Sequence, residues 1–278
     1  MKIGIVAVCY NSYDEAINLI ESIKIASQQV ENVNLSVIVC DNSNKGNSNQ
    51  LESKLESYQY YYIKLDNVGY FPAFNRGVQE LAKINKNREF DYLIVTNVDL
   101  VLDKNFLKEL NNFKSNKNIG VIAPSILSNQ TQEDINPKIF VRPNIMKLKV
   151  LYYGFQNLLF YILYTNFSVK KAEARGRKKL SNKLSYPLGT IMYAAHGSIM
   201  IFTKYYFNAG AKIEYPRFLF GEEVFVAEEA RKHKLLTIYR PDMIVYDKEH
   251  GSTSKENHKF ISLEHVKSYK YLIENYFS

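Results

Sequence analysis

The stretch FDYLIVTNVD, residues 90–99, decides the fold. Its short apolar run, 92–95, is rich in β-branched and aromatic residues and predicts a strand buried on both faces. The run ends at Thr96, and Asn97 and Asp99 then place two oxygen-bearing side chains just past it. Ligands of open α/β sheets bind at this edge, and a carboxylate there suits a divalent cation that carries phosphates. Asn and Asp are also common turn residues, so the stretch alone favours a simple turn.

Length and composition predict one large α/β domain, because the chain has 278 residues of which 46% are hydrophobic. The two cysteines, Cys9 and Cys40, end two predicted core strands, which favours buried free thiols in a reducing compartment over a disulfide. Residues 1–10 enter a strand pattern directly, so no signal peptide is apparent. We therefore expect a cytoplasmic protein.

The net charge of +8 belongs to one segment. Residues 142–190 contain ten Lys or Arg and a single acid, Glu173, which gives +9, whereas the rest of the chain sums to −1. A nucleic-acid-binding protein would spread basic residues along its main groove. The distribution therefore argues against nucleic acid as a partner.

The first hundred residues predict the order β-α-β-β-α-β. Such an order implies right-handed crossovers and a mostly parallel sheet. The predicted strands are 2–9, 35–40, 60–65 and 92–96, and the predicted helices are 14–26 and a segment that ends at about residue 84.

Polar side chains follow three of these strands, as in a nucleotide site. They are Tyr10 and Asn11 after the first strand, Asp41 after the second, and Asn97 with Asp99 after the fourth. Asp41 can accept a hydrogen bond from a base N–H or a ribose hydroxyl, and Gly69 leaves room for a close backbone approach. The chain has neither a P-loop motif nor G-x-G-x-x-G after its first strand, which excludes a P-loop nucleotidase and argues against a dinucleotide site.

Four motifs make this half of the chain resemble family 2 glycosyltransferases. They are VCYN at 8–11, VCDNS at 39–43, NVG at 67–69 with NRG at 75–77, and TNVD at 96–99. TNVD occupies the position of the family's D-x-D motif, with Asn97 in place of the first Asp, as in rhamnosyltransferase-like members. The resemblance covers residues 1–125 and continues from about 190 to 255.

The resemblance implies a Rossmann-like GT-A type fold with a mostly parallel central sheet and a basic, aromatic helical insertion. Within one continuous catalytic domain, residues 1–125 would bind the nucleotide sugar and 126–190 would form the variable insertion. Residues 191–278 would bind the acceptor, contribute to catalysis and end in an amphipathic helix.

The resemblance also implies roles for individual residues. The nucleotide-sugar contacts would be Tyr10, Asn11, Asp41, Asn67, Gly69, Asn75, Arg76 and Asn97. The ligands of Mn²⁺ or Mg²⁺ would be Asp99 and His250, and the acceptor contacts would be His196 and Gly197. Glu223 stands at the position of the catalytic base, where the family usually has Asp, and Glu222 is the alternative. Acids in a first helical turn are also ordinary partners of the helix dipole.

The implied reaction is a single displacement with inversion. The sugar would pass from a UDP- or dTDP-linked donor to a hydroxyl of a glycan or lipid-linked glycan, in bacterial surface polysaccharide synthesis. A sugar nucleotidyltransferase is one alternative, although residues 10–13 are not the Gly- and Arg-rich loop that such enzymes usually carry after the first strand. A nucleotide-sugar-binding module without catalytic activity is the other.

The insertion suggests contact with a membrane. Residues 150–169 are uncharged over a length that can just span a bilayer as a helix, but they include Gln, Asn and four Tyr. On one helix the apolar residues would share a face, and the basic run 170–179 follows. This pattern favours a helix lying on the anionic inner face of the cell membrane, with the enzyme attached peripherally. The alternatives are an insertion packed on the protein with a solvated basic tail and, third, a true span.

Overall fold

The structure is a computed structural model that describes residues 1–86, 89–129, 133–137, 139–179, 186–248 and 257–277, with the backbone alone for 171–179. The strands are β1 (Lys2–Cys9), β2 (Asn34–Asp41), β3 (Tyr61–Lys64), β4 (Tyr92–Asn97), β5 (Leu100–Leu102), β6 (Ile119–Ser128), β7 (Ile191–Met192), β8 (Ile199–Thr203) and β9 (Leu236–Asp247). The helices are α1 (Tyr13–Ser27), α2 (Asn49–Ser57), α3 (Tyr70–Ile84), α4 (Phe106–Asn112), α5 (Ile145–Gly154), α6 (Leu158–Lys179), α7 (Lys204–Asn208), α8 (Glu222–Lys232) and α9 (His258–Tyr276).

One mixed sheet runs through the part of the chain that the structure describes, in the order β3-β2-β1-β4-β8-β6-β9-β5, with β7 paired to β9. The first four strands in this order, β3, β2, β1 and β4, are all parallel, as the sequence predicts. Beyond them β8 runs antiparallel between β4 and β6, and β6 pairs with β9 in parallel. Strands from the two ends of the chain therefore share one sheet, which confirms the predicted α/β class.

Helices cover both faces of the sheet, because successive side chains of a strand point to opposite faces. Ile3, Ile5 and Ala7 of β1 enter one core with α1, α2 and α4. Val6 and Val8 enter a second core with α3, α8 and α9. Both cysteines lie inside these cores as free thiols, as expected.

The insertion forms two helices rather than the single helix that we expected. The chain breaks between α5 and α6 at residues 155–157. Leu151, Phe155 and Tyr161 of the insertion pack on Ile261 of α9. The apolar face predicted for one helix is thereby divided between a buried side and an exposed side. Among the helices that the structure describes, none is long and apolar enough to cross a membrane.

Candidate active site

A cavity of about 470 Å³ opens at the carboxyl ends of β1, β2 and β4. It brings together most of the residues that the sequence singled out: Tyr10, Asn67, Gly69, Asn97, Asp99, His196, Gly197, Glu222 and Glu223. The remaining wall includes Phe218, Leu219, Phe220 and Phe260. The cavity therefore has a polar side at the strand ends and an apolar side formed by the loop before α8 and the first turn of α9.

Gly197 joins the elements around the catalytic side of the cavity. Its N–H donates to Glu223 Oε1 at 3.2 Å, and its carbonyl accepts from the Tyr70 hydroxyl at 2.9 Å. A Cβ at this position would lie 3.0 Å from Glu222 Oε1 and 3.3 Å from Glu223 Oε1. The close approach of α8 to this backbone therefore favours glycine, and the N–H bond helps to orient Glu223.

Three carboxylates converge near the Tyr70 hydroxyl. Burial, followed by the charges of Glu222, Asp99 and Glu223, raises the pKa of Tyr70 well above its usual range. The backbone N–H of Asn97 donates to Ser198 O at 2.8 Å, which joins the end of β4 to the segment before β8. This hydrogen bond helps to hold Asp99 near the Tyr70 hydroxyl. The predicted metal ligand and the predicted catalytic acids therefore share one cavity.

The two glutamates of α8 differ in protonation. Burial, and then the charge of Glu223, raise the pKa of the Glu222 carboxyl to about 8. The raised pKa favours the neutral form of Glu222 at pH 7. A neutral carboxyl can donate a hydrogen bond but cannot take the proton of an acceptor hydroxyl. Of the two glutamates, Glu222 is therefore the less suited to act as a general base.

The cavity suits a divalent cation only together with an anionic ligand. Among the residues that the structure describes, no group of three or more His, Cys, Asp or Glu could hold a metal by itself. The described lining has three carboxylates and neither Lys nor Arg, so a diphosphate would need a cation to enter it. Mg²⁺ and similar ions are commonly held by one or two carboxylates plus substrate phosphates. Asp99 fits that role, whereas His250 lies outside the described residues.

Asn42 is a cavity residue that the sequence analysis quoted in a motif without assigning it a role. Its side chain is 2% exposed, and its Nδ2 donates to Gly69 O at 2.9 Å. Its Oδ1 is buried and accepts no hydrogen bond from the described residues. An unpaired buried acceptor is costly, so a ligand N–H or O–H in the cavity would satisfy it. Only the fold shows that this Asn, rather than its neighbour Asp41, faces the cavity.

Asp41 does not line the cavity, because the protein itself occupies its carboxylate. Oδ2 accepts from Tyr62 Oη at 2.6 Å, from Lys64 Nζ at 2.8 Å and from Tyr13 Oη at 3.1 Å. Oδ1 accepts from the Ser43 N–H at 2.8 Å. Burial raises the pKa of Asp41, but these hydrogen bonds outweigh it and the pKa is lowered overall. Asp41 therefore holds the loop after β2 through these hydrogen bonds and lies outside the lining of the cavity.

Three other predicted nucleotide contacts also lie outside the lining. Asn11 has a positive φ of 53°, and its Oδ1 accepts from the N–H groups of Asn44 and Lys45, each at 3.2 Å. It therefore joins the loops after β1 and β2. Asn75 is half-buried and Arg76 is exposed, both inside α3 and beyond the turn that borders the cavity.

Gly69 permits the turn that begins α3. Its φ of 92° is unfavourable for residues with a side chain, and a Cβ would lie 2.3 Å from Phe218 O. The N–H of Tyr70 donates to the same oxygen at 3.1 Å. The close approach that the sequence suggested for this glycine is therefore an approach to the loop before α8.

His196 is held at the cavity by its neighbours. Its N–H donates to Asn136 Oδ1 at 3.2 Å, and its Nδ1 lies 2.9 Å from Ser198 Oγ. The Ser198 N–H also points to Nδ1 at 3.3 Å, which favours the tautomer protonated at Nε2. Asn136, 1% exposed and far away in sequence, is a positioning residue that no local motif indicated.

Comparison with protein families gives one match. The family described as Glycosyl transferase family 2 matches residues 4–174. The matched region contains the strand-end motifs and Asp99 and ends before the two glutamates of α8. No curated protein matches the chain.

Solved structures share the fold at low identity. GalNAc-T7, crystallised with UDP, GalNAc and Mn²⁺, has a TM-score of 0.59 at 11% identity, over 98% of this chain and 48% of that one. TarS 1-349 of S. aureus, in complex with UDP-GlcNAc, has a TM-score of 0.56 at 11% identity, over 97% and 66%. The mannosyltransferase PcManGT from Pyrobaculum calidifontis, in complex with GDP-Man and Mn²⁺, has a TM-score of 0.50 at 12% identity, over 97% and 70%.

The present chain is shorter than these relatives. It spans 40% of the full TarS chain, with a TM-score of 0.55 at 13% identity over 99% of its own length. It spans less than half of GalNAc-T7. The likeness shows the GT-A type fold that the sequence predicts.

Proposed function

Because the chain belongs to glycosyl transferase family 2, we propose that it transfers a sugar from a nucleotide diphosphate sugar to an acceptor hydroxyl in this cavity. The observation that carries the proposal is the convergence of Asp99, Glu222 and Glu223 at the carboxyl ends of the parallel strands. Ligands of open α/β sheets bind at this edge. The family match covers only the donor side, so the assignment of the acceptor side rests on geometry.

The polar side of the cavity is the proposed donor site. Tyr10, Asn42 and Asn67, which line the cavity, would contact the nucleoside, and Asn97 and Asp99 would lie nearer the diphosphate. We propose a UDP- or dTDP-linked donor. The UDP and UDP-GlcNAc in the crystals of GalNAc-T7 and TarS support a uridine nucleotide, and the single N–H of a uracil or thymine ring would suit Asn42 Oδ1.

The proposed cofactor is Mn²⁺ or Mg²⁺, with Asp99 as the protein ligand and His250 as a second candidate. When bound, the cation would neutralise charge on the nucleotide diphosphate. The Mn²⁺ in the GalNAc-T7 and PcManGT crystals supports the same choice. The absence of Lys and Arg from the described lining is consistent with this need.

Glu223 is the proposed general base. Its carboxylate is oriented by the Gly197 N–H and would take the proton from the acceptor hydroxyl as this hydroxyl attacks the anomeric carbon. Attack from the side opposite the departing diphosphate would invert the anomeric configuration. His196 and Gly197 border the same side and would contact the acceptor.

We further propose that the acceptor is a glycan or lipid-linked glycan of a bacterial surface polysaccharide, handled at the inner face of the cell membrane. The net charge of +9 in residues 142–190 supports attachment to anionic lipid. On α6 the exposed residues Leu159, Leu163, Phe167 and Lys170 follow one another at helical spacing. A stripe of this kind suits a helix lying in a lipid surface.

A donor panel tests the proposal. UDP-, dTDP- and GDP-sugars are incubated with the protein and Mn²⁺ or Mg²⁺, and release of the nucleoside diphosphate is followed. We expect metal-dependent release from a uridine or thymidine donor. Formation of a nucleotide sugar from nucleoside triphosphate and sugar phosphate would instead identify a nucleotidyltransferase. Donor binding without turnover in the presence of candidate acceptors would identify a binding module.

A further inference from the structure

We propose that Tyr70 is a positioning residue for the transfer reaction, whose hydroxyl fixes the backbone of Gly197 so that this backbone can orient the proposed base, Glu223. This inference rests on the proposed function, because it adds a residue to the same reaction in the same cavity. Tyr70 directly follows the NVG motif of residues 67–69.

The backbone of Tyr70 is fixed on both sides of this residue. Tyr70 is the first residue of α3, and its N–H donates to Phe218 O at 3.1 Å. The preceding carbonyl, that of Gly69, accepts from Asn42 Nδ2 at 2.9 Å. The next residue, Phe71, is 1% exposed and belongs to the core that the sheet forms with α3, α8 and α9. The phenol of Tyr70 therefore lines the cavity from a defined position.

The hydroxyl of Tyr70 reaches the segment between β7 and β8. It donates to Gly197 O at 2.9 Å, while the N–H of the same glycine donates to Glu223 Oε1 at 3.2 Å. Tyr70 and Gly197 are 127 positions apart in the chain, so the fold alone brings them together. Both backbone groups of Gly197 are thus bonded to side chains of the cavity, one to α3 and one to α8.

Glycine depends on these two hydrogen bonds more than another residue would. Gly197 has no Cβ and lies outside both strands, so contacts with its neighbours rather than local sterics must restrict its backbone. A Cβ at this position would lie 3.0 Å from Glu222 Oε1, which leaves no room for a stiffer residue. Without the Tyr70 hydroxyl the carbonyl of Gly197 would lose this partner, and the N–H that orients Glu223 would be less well fixed.

Tyr206 separates this role from simple stabilisation. Its hydroxyl also donates to a backbone carbonyl, that of Lys212, at 2.8 Å, but Tyr206 is fully buried in the core and does not line the cavity. Tyr70→Phe and Tyr206→Phe each remove one oxygen atom and one hydrogen bond of the same kind, so both should lose a similar amount of stability. Because Tyr70 and not Tyr206 is linked to Glu223, the rate should change in Tyr70→Phe and stay unchanged in Tyr206→Phe.

The test follows release of nucleoside diphosphate from the nucleotide sugar that the donor panel identifies. The wild type and both phenylalanine variants are compared with Glu223 intact and in a Glu223→Gln background, where single-turnover measurements resolve slow rates. With Glu223 intact, Tyr70→Phe should lower kcat by about tenfold and change donor KM by less than about twofold, because the base is displaced while the donor site is kept. Tyr206→Phe should match the wild type.

The Glu223→Gln background shows whether Tyr70 acts through Glu223. There Tyr70→Phe should lower the rate by less than about twofold, because residues that act as a unit are not additive. An equal loss in both backgrounds would overturn the proposal, since Tyr70 would then act independently of the base. An unchanged kcat in Tyr70→Phe, or a loss confined to donor KM, would overturn it as well.

A second measurement needs no turnover. Hydrogen–deuterium exchange with mass spectrometry reports on the peptide that contains Gly197. Its amides should exchange several-fold faster in Tyr70→Phe than in the wild type, and at the wild-type rate in Tyr206→Phe. Equal exchange in all three proteins would overturn the proposal. If the wild type turns over no donor, the proposed function fails, and the exchange rates still decide whether Tyr70 fixes Gly197.

Discussion

The proposed base, Glu223, and its neighbour Glu222 at the start of α8 should respond differently to substitution. With its pKa raised to about 8, Glu222 is neutral at pH 7 and close in shape and charge to glutamine. Glu222→Gln should therefore keep most of the transfer activity at pH 7, whereas Glu223→Gln should lose ~10²–10⁴-fold in kcat with donor affinity retained. Initial rates at saturating donor and calorimetric donor binding measure the two effects.

The same pair predicts a pH dependence. As the pH rises through about 8, wild-type Glu222 ionises and adds a second negative charge beside the diphosphate site, so the wild-type rate should fall. Glu222→Gln cannot ionise and should lack this alkaline limb. If Glu222→Gln is inactive while Glu223→Gln transfers normally, the base has been assigned to the wrong carboxylate.

Asn42 should decide how well the nucleoside binds. Asn42→Ala removes the buried Oδ1, which accepts no hydrogen bond from the described residues, and should weaken binding of UDP by roughly 5- to 20-fold, the equivalent of one hydrogen bond of ~1–2 kcal/mol. Arg76→Ala serves as a control, because Arg76 is exposed on α3 outside the cavity. Equal UDP dissociation constants for the wild type and Asn42→Ala, measured by calorimetry, would show that Asn42 does not contribute to nucleotide binding.

Of the strand-end residues that the sequence indicates, Tyr10, Asn97 and Asp99 line the cavity, whereas Asn11 and Asp41 do not. Sequence alone could not distinguish Asp41 from Asn42, which are adjacent and both suit a nucleotide. That choice depends on Tyr62 and Lys64 of β3, which surround the carboxylate of Asp41 only after the sheet has formed. Local sequence likewise gives no sign that Asn136 positions His196, because the two residues are far apart in the chain.

At the scale of single elements, the turn into α8 depends on the packing of α9. Phe220 has a φ of 66°, an unfavourable backbone conformation for a bulky residue, and it directly precedes Gly221 and the glutamates. The ring of His265 stacks on Phe220 with centroids 3.8 Å apart, and the Tyr215 and Ser268 hydroxyls donate to Phe220 O. Burial lowers the pKa of His265 to about 4, so this imidazole is neutral at pH 7.

His265→Ala should therefore lower kcat by roughly tenfold, because the loop that aims the glutamates loses its stacking partner. His265→Phe keeps an uncharged ring and should restore most of the rate. Donor KM should change little in either variant, because the nucleoside end of the cavity lies elsewhere. The role assigned to His265 fails if the two variants have the same kcat, or if His265→Ala matches the wild type.

The strands and helices differ in how far sequence predicts them. The strands that flank β1 each have a continuous apolar centre, and the sequence predicts their ends to within one or two residues. In β9 the residues Arg240, Pro241 and Asp242 interrupt the apolar pattern, yet the pairing of β9 with β6 continues across a shift in register. The break between α5 and α6 at 155–157 has no proline to indicate it in the sequence, and Phe155 at the break packs on Ile261 of α9.

At the scale of the whole molecule, the order of the sheet explains why one cavity holds residues from distant parts of the chain. β8 lies between β4 and β6, so the segment with His196 and Gly197 meets the end of β4 at Asn97. The direction of β8 depends on the long connection that precedes it, which has no clear sequence period. The resemblance to the family, and not the hydrophobic periodicity of the sequence, assigns residues 196 and 223 to the same predicted site as Asp99.

The uneven charge predicts reversible attachment to anionic membranes. Replacement of Lys170, Lys171, Arg175, Arg177, Lys178 and Lys179 by Gln should release the protein from phosphatidylglycerol vesicles, because each contributes ~1 kcal/mol near such a surface. Sedimentation should show that salt weakens wild-type binding without abolishing it, since the apolar face is not screened. Glutamine at six exposed lysines outside the insertion, Lys104, Lys108, Lys114, Lys117, Lys232 and Lys234, is the matched control. Equal, negligible sedimentation with anionic and phosphatidylcholine vesicles would show that the protein does not bind anionic membranes.

The measurement that tests the central claim most directly is calorimetric titration of UDP and of dTDP into the wild type and Asp99→Asn, with and without Mn²⁺. One of the two nucleotides should bind the wild type only when Mn²⁺ is present, and Asp99→Asn should lose this metal-dependent binding while keeping the wild-type circular dichroism spectrum. Binding that needs no metal and is unchanged in Asp99→Asn would contradict a donor site built on the end of β4.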